Sequence, residues 1–528
     1  MRALVFSLLA LTAITASGAE SDDAHKAEEK SEGQKKPDMP PPEKASVTTH
    51  SMQIGGRNIA YKATAGTLMI RDDKDRPDAS VFYVAYTADE KDSSRRPITF
   101  LYNGGPGSAS IWLHMGSFGP VRVATESPEA TAPAPYRLVP NADSLLDKTD
   151  LVFVDAIGTG FSKGLRKEKG KDEKDDKDSK DKDDSPNKRF WGTDQDIDAF
   201  GRFIARYITV NKRWNSPKFL FGESYGTPRS AGLAKYLEDH GVALNGVVLL
   251  SSILNYGSRL PGLDNDYVNL LPTFAATAWY HNKLANKPAT LEPFLTEVRE
   301  FARGDYAVAL NKGQDLTPAE RDAIAERMSK YTGIGVAYLK EANLRVSQPR
   351  YRKELLRDER RTLGRYDGRF EGIDSDAAGE NPETDPSDTG IRGAFTAAFN
   401  DYLQRELNYS NDAAYAVSAN AIQDWDWKHK VRGQQRPVPV PITVTDLGDA
   451  MRANPHLKVL SANGYFDLAT PFFATEYDLG HMDIEPKLRS NLSLTYYPSG
   501  HMVYLNLDAL RQFKQDLAKF YDSATPSH

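Results

Sequence analysis

Residues 222–226 read Gly-Glu-Ser-Tyr-Gly and fit the G-x-S-x-G pattern, in which a serine acts as a nucleophile. The serine of this pattern occupies a tight turn between a strand and a helix, and small neighbouring residues leave room for its strained backbone. Five residues alone are weak evidence, but a strand-like run precedes them and small, helix-forming residues follow them. We therefore predict that Ser224 is a catalytic nucleophile. The alternative is an ordinary glycine-rich turn.

A serine hydroxyl needs a base that takes its proton and a carboxylate that orients the base. When the nucleophile lies on a strand-to-helix turn, the acid and then the histidine follow later in the chain, on loops after strands. Asp467 follows the apolar run 457–460, and His501 follows the run 492–497, so we predict a Ser-Asp-His triad. The other candidates in this part of the chain are less well placed relative to the strands: His456, His481, Asp478 and Asp483.

The oxyanion formed in acyl transfer needs two hydrogen-bond donors that are in place before the reaction. The N–H of Tyr225, directly after the nucleophile, is one candidate. The other lies in the loop 103–107, Asn-Gly-Gly-Pro-Gly, whose glycines let backbone N–H groups approach a substrate oxygen closely. A phosphate-binding loop is a weaker interpretation because no Gly-Lys-Ser/Thr follows. The sequence has no H-E-x-x-H pair, and we predict neither a metal site nor a cofactor.

The elements that must position these residues alternate between strands and helices. Several short runs are apolar without alternation, which is typical of strands covered on both faces and hence of a mainly parallel sheet. Helix-forming stretches lie between the runs, so we predict an α/β fold whose central sheet is flanked by helices. The strand-like runs are 70–87, 97–102, 151–154, 218–221, 246–250, 457–460 and 492–497, and the helical stretches include 194–211, 227–240 and 508–521.

Strand-like apolar runs no longer recur between residues 255 and 440. Thr317-Pro318-Ala319-Glu320 is a capping box with proline at the first helical position, and it predicts a helix that runs towards Tyr331. We predict that residues 255–440 form a mostly helical cap insertion between a first core part, 47–254, and a second core part, 441–528. A separate domain is the alternative.

Residues 1–19 have the order of a secretory signal peptide: Arg2, an apolar run, then small residues before Glu20. We therefore expect an exported protein, periplasmic or secreted; a retained anchor is the alternative. Residues 20–46 are charged and proline-rich and are predicted to be a disordered tether. Residues 163–189 are mostly Lys, Asp and Glu. We predict a solvated loop there, with a binding tail for an envelope polymer as the alternative.

The composition argues against several classes of protein. The 528 residues include 67 basic and 73 acidic side chains, and a net charge of −6 argues against a nucleic-acid partner. The chain has no cysteine, which excludes disulfides, thiolate metal sites and cysteine nucleophiles. No segment after the signal is long and apolar enough to cross a bilayer, so we predict no integral membrane span. The sequence makes no prediction of the oligomeric state.

Several segments occur in the order found in the serine carboxypeptidases, and the sequence resembles this family over essentially residues 50–525. The closer likeness is to the bacterial branch, through residues 227–229 (Thr-Pro-Arg) and 278–281 (Ala-Trp-Tyr-His). The segments that carry the resemblance are Asn103-Gly104-Gly105-Pro106-Gly107-Ser108, Gly158-Thr159-Gly160-Phe161-Ser162, Gly222-Glu223-Ser224-Tyr225-Gly226, Asn463-Gly464-Tyr465-Phe466-Asp467 and Gly500-His501-Met502-Val503.

The resemblance implies an α/β-hydrolase that removes residues from the C-termini of peptides through an acyl-enzyme. It assigns the triad to Ser224, Asp467 and His501 and the oxyanion hole to Gly105 and Tyr225. Glu223 would help bind the terminal carboxylate of the substrate only when protonated, because two carboxylates in a poorly solvated site repel each other. The residues expected at the substrate are Asn103, Gly104, Glu223 and Met502.

The sequence departs from the family pattern at two positions, Ser117 and Ser108. Ser117 stands where the family has a second carboxylate-binding glutamate, which puts an acidic pH optimum and strict exopeptidase recognition in doubt. Arg229 could bind the carboxylate instead, because a guanidinium pairs bidentately with a carboxylate; a structural salt bridge is the alternative. Ser108 replaces a family cysteine, so the family's disulfide cannot form.

Two other functions remain compatible with the sequence. A triad fixes the reaction type but not the leaving group, so an esterase, amidase or acyltransferase on the same scaffold is the first alternative. The second is a non-catalytic envelope-binding protein that uses the charged tracts.

Overall fold

The computed structural model describes residues 42–90, 94–166 and 185–525. The predicted signal peptide, residues 20–41 of the predicted tether and residues 167–184 of the charged tract lie outside these ranges. The strands are β1 (Ala45–Ile54), β2 (Arg57–Arg71), β3 (Pro77–Ala88), β4 (Ile98–Tyr102), β5 (Val121–Val123), β6 (Leu138–Pro140), β7 (Asp150–Val154), β8 (Lys163–Gly164), β9 (Lys218–Glu223), β10 (Gly246–Leu250), β11 (Thr362–Leu363), β12 (Glu371–Gly372), β13 (Lys458–Gly464) and β14 (Leu492–Tyr497).

The helices extend over both core parts and the segment between them. They are α1 (Ile111–Leu113), α2 (Thr193–Val210), α3 (Gly226–Asp239), α4 (Asn265–Tyr280), α5 (Leu291–Phe301), α6 (Ala307–Asn311), α7 (Pro318–Thr332), α8 (Val336–Glu341), α9 (Gln348–Glu354), α10 (Pro386–Arg405), α11 (Val444–Ala453), α12 (Phe472–Gly480) and α13 (Leu507–Ala524). In the described ranges, every helix is either too short or too polar to cross a lipid bilayer.

Within the described residues, ten strands form one sheet in the order β1-β2-β3-β7-β4-β9-β10-β13-β14, with β8 paired to β3. The six successive strands β7, β4, β9, β10, β13 and β14 are parallel to one another. The pairs β1-β2, β2-β3 and β3-β7 are antiparallel. Every residue of β4, β7, β9 and β10 is buried, as expected for strands covered on both faces. The predicted α/β-hydrolase fold, with a mainly parallel sheet flanked by helices, is confirmed.

Successive side chains of the central strands enter two different hydrophobic cores. In β7, Leu151 and Phe153 pack into the core that contains residues of α10 and α13, whereas Val152 and Val154 pack into the core that contains residues of α2, α3 and α11. The strand period of two sends alternate residues to opposite faces, so an unbroken apolar run becomes a strand buried on both sides. This burial fixes the positions of the strand ends that carry the candidate site.

The antiparallel edge of the sheet differs from the sequence-based prediction. The run 70–87 contains the end of β2, a turn and most of β3, and β1 with the first part of β2 was not predicted at all. Exposed and more buried side chains alternate along β1 because it is the edge strand of the sheet. Its apolar content is therefore lower than that of the central strands, and it gave no continuous apolar run to detect.

Helices α4 to α10 lie in sequence between β10 and β13, with the short antiparallel hairpin β11-β12 among them. The predicted capping box is present at α7, where Glu320 N–H donates to Thr317 Oγ1 at 3.3 Å and Thr317 N–H donates to Glu320 Oε2 at 3.0 Å. Helices α4 to α9 share a hydrophobic core with Phe466 and Phe472 of the second core part. This packing connects the helical segment to the loop that carries Asp467.

Candidate active site

Ser224 lies on the turn between β9 and α3. Its φ angle is +60°, which is unfavourable for a residue with a side chain, and its N–H donates to Leu250 O at 3.0 Å. A β-carbon at position 222 would lie 2.5 Å from the Ser230 hydroxyl and still closer to the carbonyl of Gly226. Only glycine fits there. Because glycine has no side chain, the helix can start immediately after the strand. The local structure is therefore the strained turn that G-x-S-x-G predicts.

The glycine loop after β4 lies directly against this turn. A β-carbon on Gly104 would lie 2.7 Å from the backbone nitrogen of Gly226 and closer still to that of Tyr225. Gly105 has φ of +105°, in the region that favours glycine. The predicted oxyanion-hole residues Gly105 and Tyr225 therefore lie on two adjoining backbone segments. An oxyanion hole needs two N–H donors that are close enough to contact the same oxygen.

Asp467 and His501 form a buried pair beside the turn. His501 Nδ1 and Asp467 Oδ2 are 2.7 Å apart, and Thr470 Oγ1 donates to the same carboxylate oxygen at 2.6 Å. The other oxygen, Asp467 Oδ1, accepts from the N–H groups of Ala469 and Thr470, each at 2.9 Å. Burial is the largest single influence and disfavours the charged imidazole. The charge and hydrogen bond of Asp467, together with the charge of Glu223, outweigh burial, and the pKa of His501 is raised above its ordinary value.

The other carboxylates and histidines considered from the sequence lie elsewhere. Asp478 on α12 accepts from Leu254 N–H at 3.3 Å. His456 and His481 are exposed, and His481 Nδ1 contacts Tyr477 O at 2.7 Å, which is a contact within its own helix end. Asp483 is exposed as well. None of these four contacts His501 in the part of the chain that the structure describes.

The loop that carries His501 is held from two sides. His501 N–H donates to Tyr366 O at 2.6 Å, and the Ser251 hydroxyl donates to His501 O at 2.5 Å. The Tyr366 ring lies 5.1 Å from the imidazole, centroid to centroid. A β-carbon on Gly500 would collide with Asp367. The β11-β12 hairpin of the helical segment therefore fixes the position of the imidazole.

Ser224 and His501 line the same cavity, which has a volume of about 350 Å³. Aromatic side chains from several elements form part of its wall: Trp112, Tyr256, Tyr366 and Trp427. Asp467 lies behind His501 and does not line the cavity. The residues predicted from the sequence that line it are Asn103, Gly104, Gly105, Glu223, Ser224, His501 and Met502.

Glu223 is a buried carboxyl group at this cavity. Tyr504 O–H donates to Glu223 Oε2 at 2.9 Å. Burial raises the pKa of Glu223 to about 7, although the charge of His501 and the hydrogen bonds from Tyr504 and Asn103 act in the opposite direction. At neutral pH this carboxyl group is therefore protonated in about half of the molecules.

Arg229 and Ser117 both have structural roles here. The guanidinium of Arg229 is buried, pairs with Asp196 at 2.6 Å and donates to Asn103 O at 2.7 Å. It does not line the cavity, so the salt-bridge interpretation is the one that the structure bears out. The Ser117 hydroxyl donates to the carbonyl of Leu113 within its own helical turn and is also absent from the cavity wall.

Sequence reasoning missed several residues that contact the predicted site. Thr470 contacts both Asp467 and His501 Nδ1, Tyr504 contacts Glu223, and Tyr366 contacts the His501 backbone. Thr470 lies only three residues after Asp467, so its position was a detectable signal. Tyr366 lies 135 residues before His501, in the insertion where strand-like apolar runs do not recur. No local sequence pattern indicates that it contacts the site.

Comparisons with known proteins match the first part of the chain to a family. Residues 56–254 match the family model described as serine carboxypeptidase. A pheromone-processing carboxypeptidase KEX1 of Saccharomyces cerevisiae is 32% identical over 102 residues, which cover 19% of this chain and only 13% of the yeast protein. Among solved structures, the proline iminopeptidase of Mycobacterium smegmatis aligns with 87% of this chain and 98% of its own at a TM-score of 0.36 and 12% identity.

A thermostable carboxyl esterase of Bacillus coagulans aligns with 91% of this chain and 99% of its own at a TM-score of 0.34 and 13% identity. The family match contains the glycine loop and the Ser224 turn, whereas Asp467 and His501 lie after it. The first part of the chain, residues 56–254, is therefore similar to the serine carboxypeptidase family.

Proposed function

We propose that this protein is an exported serine-type carboxypeptidase that removes C-terminal residues from peptides through an acyl-enzyme. The observation that carries the proposal is the convergence of Ser224 and the Asp467–His501 pair at one cavity, beside a glycine loop that lies against the turn. The family match and the short similarity to a carboxypeptidase support peptides as substrates.

In the proposed mechanism, His501 accepts the proton of Ser224 as its Oγ attacks the scissile carbonyl. Asp467 holds the imidazole by Nδ1, which leaves Nε2 to act as the base. The N–H groups of Gly105 and Tyr225 stabilise the oxyanion. His501 then returns the proton to the leaving amine, and water hydrolyses the acyl-enzyme by the same route.

The terminal carboxylate of the substrate would lie near Asn103 and Glu223, with Gly104 and Met502 also in contact with the substrate. A protonated Glu223 can donate a hydrogen bond to a carboxylate, whereas an ionised one would repel it. Its raised pKa, about 7, supports this role up to neutral pH.

The test of this function is the replacement Ser224→Ala. We expect the variant to stay folded and to lose release of C-terminal amino acids from free-acid peptides by at least ~10³-fold, measured by mass spectrometry of the products. The matched control is Ser490→Ala, an exposed serine far along the chain whose loss should leave the rate unchanged. Hydrolysis of simple esters without any release of C-terminal residues would favour the esterase alternative and refute the carboxypeptidase.

Export is tested by expression of the full chain in a bacterial host with an outer membrane. We expect the mature protein in the periplasm or the medium, with its N-terminus at Glu20, and retention in the cytoplasm after deletion of residues 2–19. A cytoplasmic full-length chain with an intact N-terminus would refute export without affecting the proposed catalysis.

A further inference from the structure

Arg365 lies on the loop of the β11-β12 hairpin, at the wall of the cavity that contains Ser224 and His501. Two backbone contacts fix this loop within the helical segment. Arg365 N–H donates to Asp385 Oδ1 at 2.9 Å, and Tyr366 N–H donates to Ser387 Oγ at 3.0 Å. The next backbone group, Tyr366 O, accepts from His501 N–H. The backbone of Arg365 therefore has a defined position relative to the imidazole.

Among the residues that the structure describes, three arginines line this cavity, and two of them already have carboxylate partners. Arg392 pairs with Asp388 at 2.7 Å, and Arg259 lies 3.5 Å from Asp266 while it donates to a backbone carbonyl. Within the described ranges, the Arg365 guanidinium makes no ion pair. Its contacts are with Tyr366, at 3.5 Å from the hydroxyl and 5.3 Å from the ring centroid. Its donors are therefore available for an anion that enters the cavity.

The charge of Arg365 acts on the reacting part of the cavity. Burial is the largest influence on the pKa of both His501 and Tyr256, and the charge of Arg365 lowers both pKa values by a smaller amount. In the described part of the cavity wall, the carboxylates are Asp388, which is already paired, and Glu223, whose pKa of about 7 leaves it partly protonated at neutral pH. The cavity therefore has an unbalanced positive charge on the side of the hairpin.

We propose that Arg365 binds the α-carboxylate of the peptide's C-terminal residue. This inference rests on the proposed carboxypeptidase function and names how the site recognises its substrate. A guanidinium presents parallel N–H donors that match a carboxylate, so one arginine can supply the recognition that Arg229 and Ser117, both absent from the cavity wall, do not. Because an arginine stays charged over the working pH range, this contact is independent of pH.

The test compares Arg365→Gln with the wild type on three substrates: a free-acid peptide, an N-acylated amino-acid methyl ester, and a peptide that ends in glutamic acid amide. We expect kcat/KM on the free acid to fall roughly 10- to 100-fold, mainly through KM, and hydrolysis of the ester to change by less than about twofold. Arg365→Lys should keep part of the free-acid preference, because it retains a point charge without the fork of donors.

The control is Arg361→Gln, an exposed arginine four residues earlier that does not line the cavity. It should match the wild type on every substrate, and all variants should have the same melting temperature. An equal loss on free acid and ester, or no loss on the free acid, would overturn the inference. A loss specific to the glutamic acid amide would also overturn it, because Arg365 would then recognise an acidic side chain.

The wild type and Ser224→Ala separate this inference from the proposed function. If the wild type shows no Ser224-dependent release from the free-acid peptide, both are wrong. If release occurs and Arg365→Gln behaves as the wild type does, only the role of Arg365 is wrong.

Discussion

From the pKa of Glu223 we predict how the activity on peptides with a free C-terminus depends on pH. Burial raises this pKa from 4.5 to about 7, and the groups that act on the carboxyl are His501, Tyr504, Asp467 and Asn103. The protonated form can bind a substrate carboxylate, and the ionised form repels it. Above pH 7 the protonated fraction falls about tenfold per pH unit, to about 1% at pH 9.

The perturbation is Glu223→Gln, which keeps a neutral hydrogen-bonding group at all pH values. In the wild type, we expect kcat/KM on a free-acid peptide, divided by kcat/KM on an N-acylated methyl ester, to fall ~50-fold between pH 7 and pH 9. In Glu223→Gln this ratio should be nearly constant over that range. The ratio removes the contribution of His501, because both substrates need the same neutral imidazole as a base.

On the acidic side the two substrates should lose activity together. His501 must be neutral to accept a proton, and its raised pKa means that activity is lost as the pH falls through a value above the ordinary one for histidine. The charge of Glu223 also raises the pKa of His501. Because Glu223→Gln removes this charge, the loss of activity on the acidic side should move to lower pH in the variant.

The control is Glu326→Gln, an exposed glutamate on α7 that should reproduce the wild-type ratio at every pH. A wild-type ratio that stays constant from pH 7 to pH 9 would refute the role of Glu223 in carboxylate binding. The same conclusion would follow if Glu223→Gln kept the tenfold fall per pH unit.

Two further predictions concern the backbone of the site and the stability of the fold. Gly104→Ala should lower kcat by at least ~100-fold and destabilise the protein by about 1–3 kcal/mol, because its β-carbon would collide with the backbone of Tyr225 and Gly226. The control is Gly335→Ala, whose β-carbon would have no atom within 4 Å. This variant should have the activity and the melting temperature of the wild type. Equal behaviour of the two variants would show that the close approach at Gly104 does not matter. Burial opposes protonation of His429, but Asp194 at 2.6 Å and Asp446 at 2.7 Å raise its pKa to about 9. Its contribution of at most ~3 kcal/mol should be complete below pH 6.5 and lost as the pH rises through 9, so the unfolding free energy of His429→Gln should depend less on pH between 6.5 and 9. An equal loss of stability in wild type and variant over that range would contradict this.

Features that depend on residues close together in the chain could be predicted from the sequence. The apolar runs that became β4, β7, β9 and β10 are continuous because both faces of these strands are buried, and burial leaves that pattern in the sequence. The Ser224 turn and the α7 capping box are likewise local. The turn needs glycine and the helix start favours proline because of backbone conformation within a few residues. The order of serine, acid and histidine predicted which distant residues would meet, and Asp467 and His501 are in contact.

The other groups at the site come together through packing between distant parts of the chain. The β11-β12 hairpin brings Arg365 and Tyr366 to the cavity from more than a hundred residues away, and its position depends on packing between elements that leave no periodic signal. Arg229 was compatible with a substrate contact or a salt bridge, and the fold placed Asp196 beside it. Burial, which sets the pKa of Glu223, also exists only after folding, because solvent is excluded by side chains from all parts of the chain.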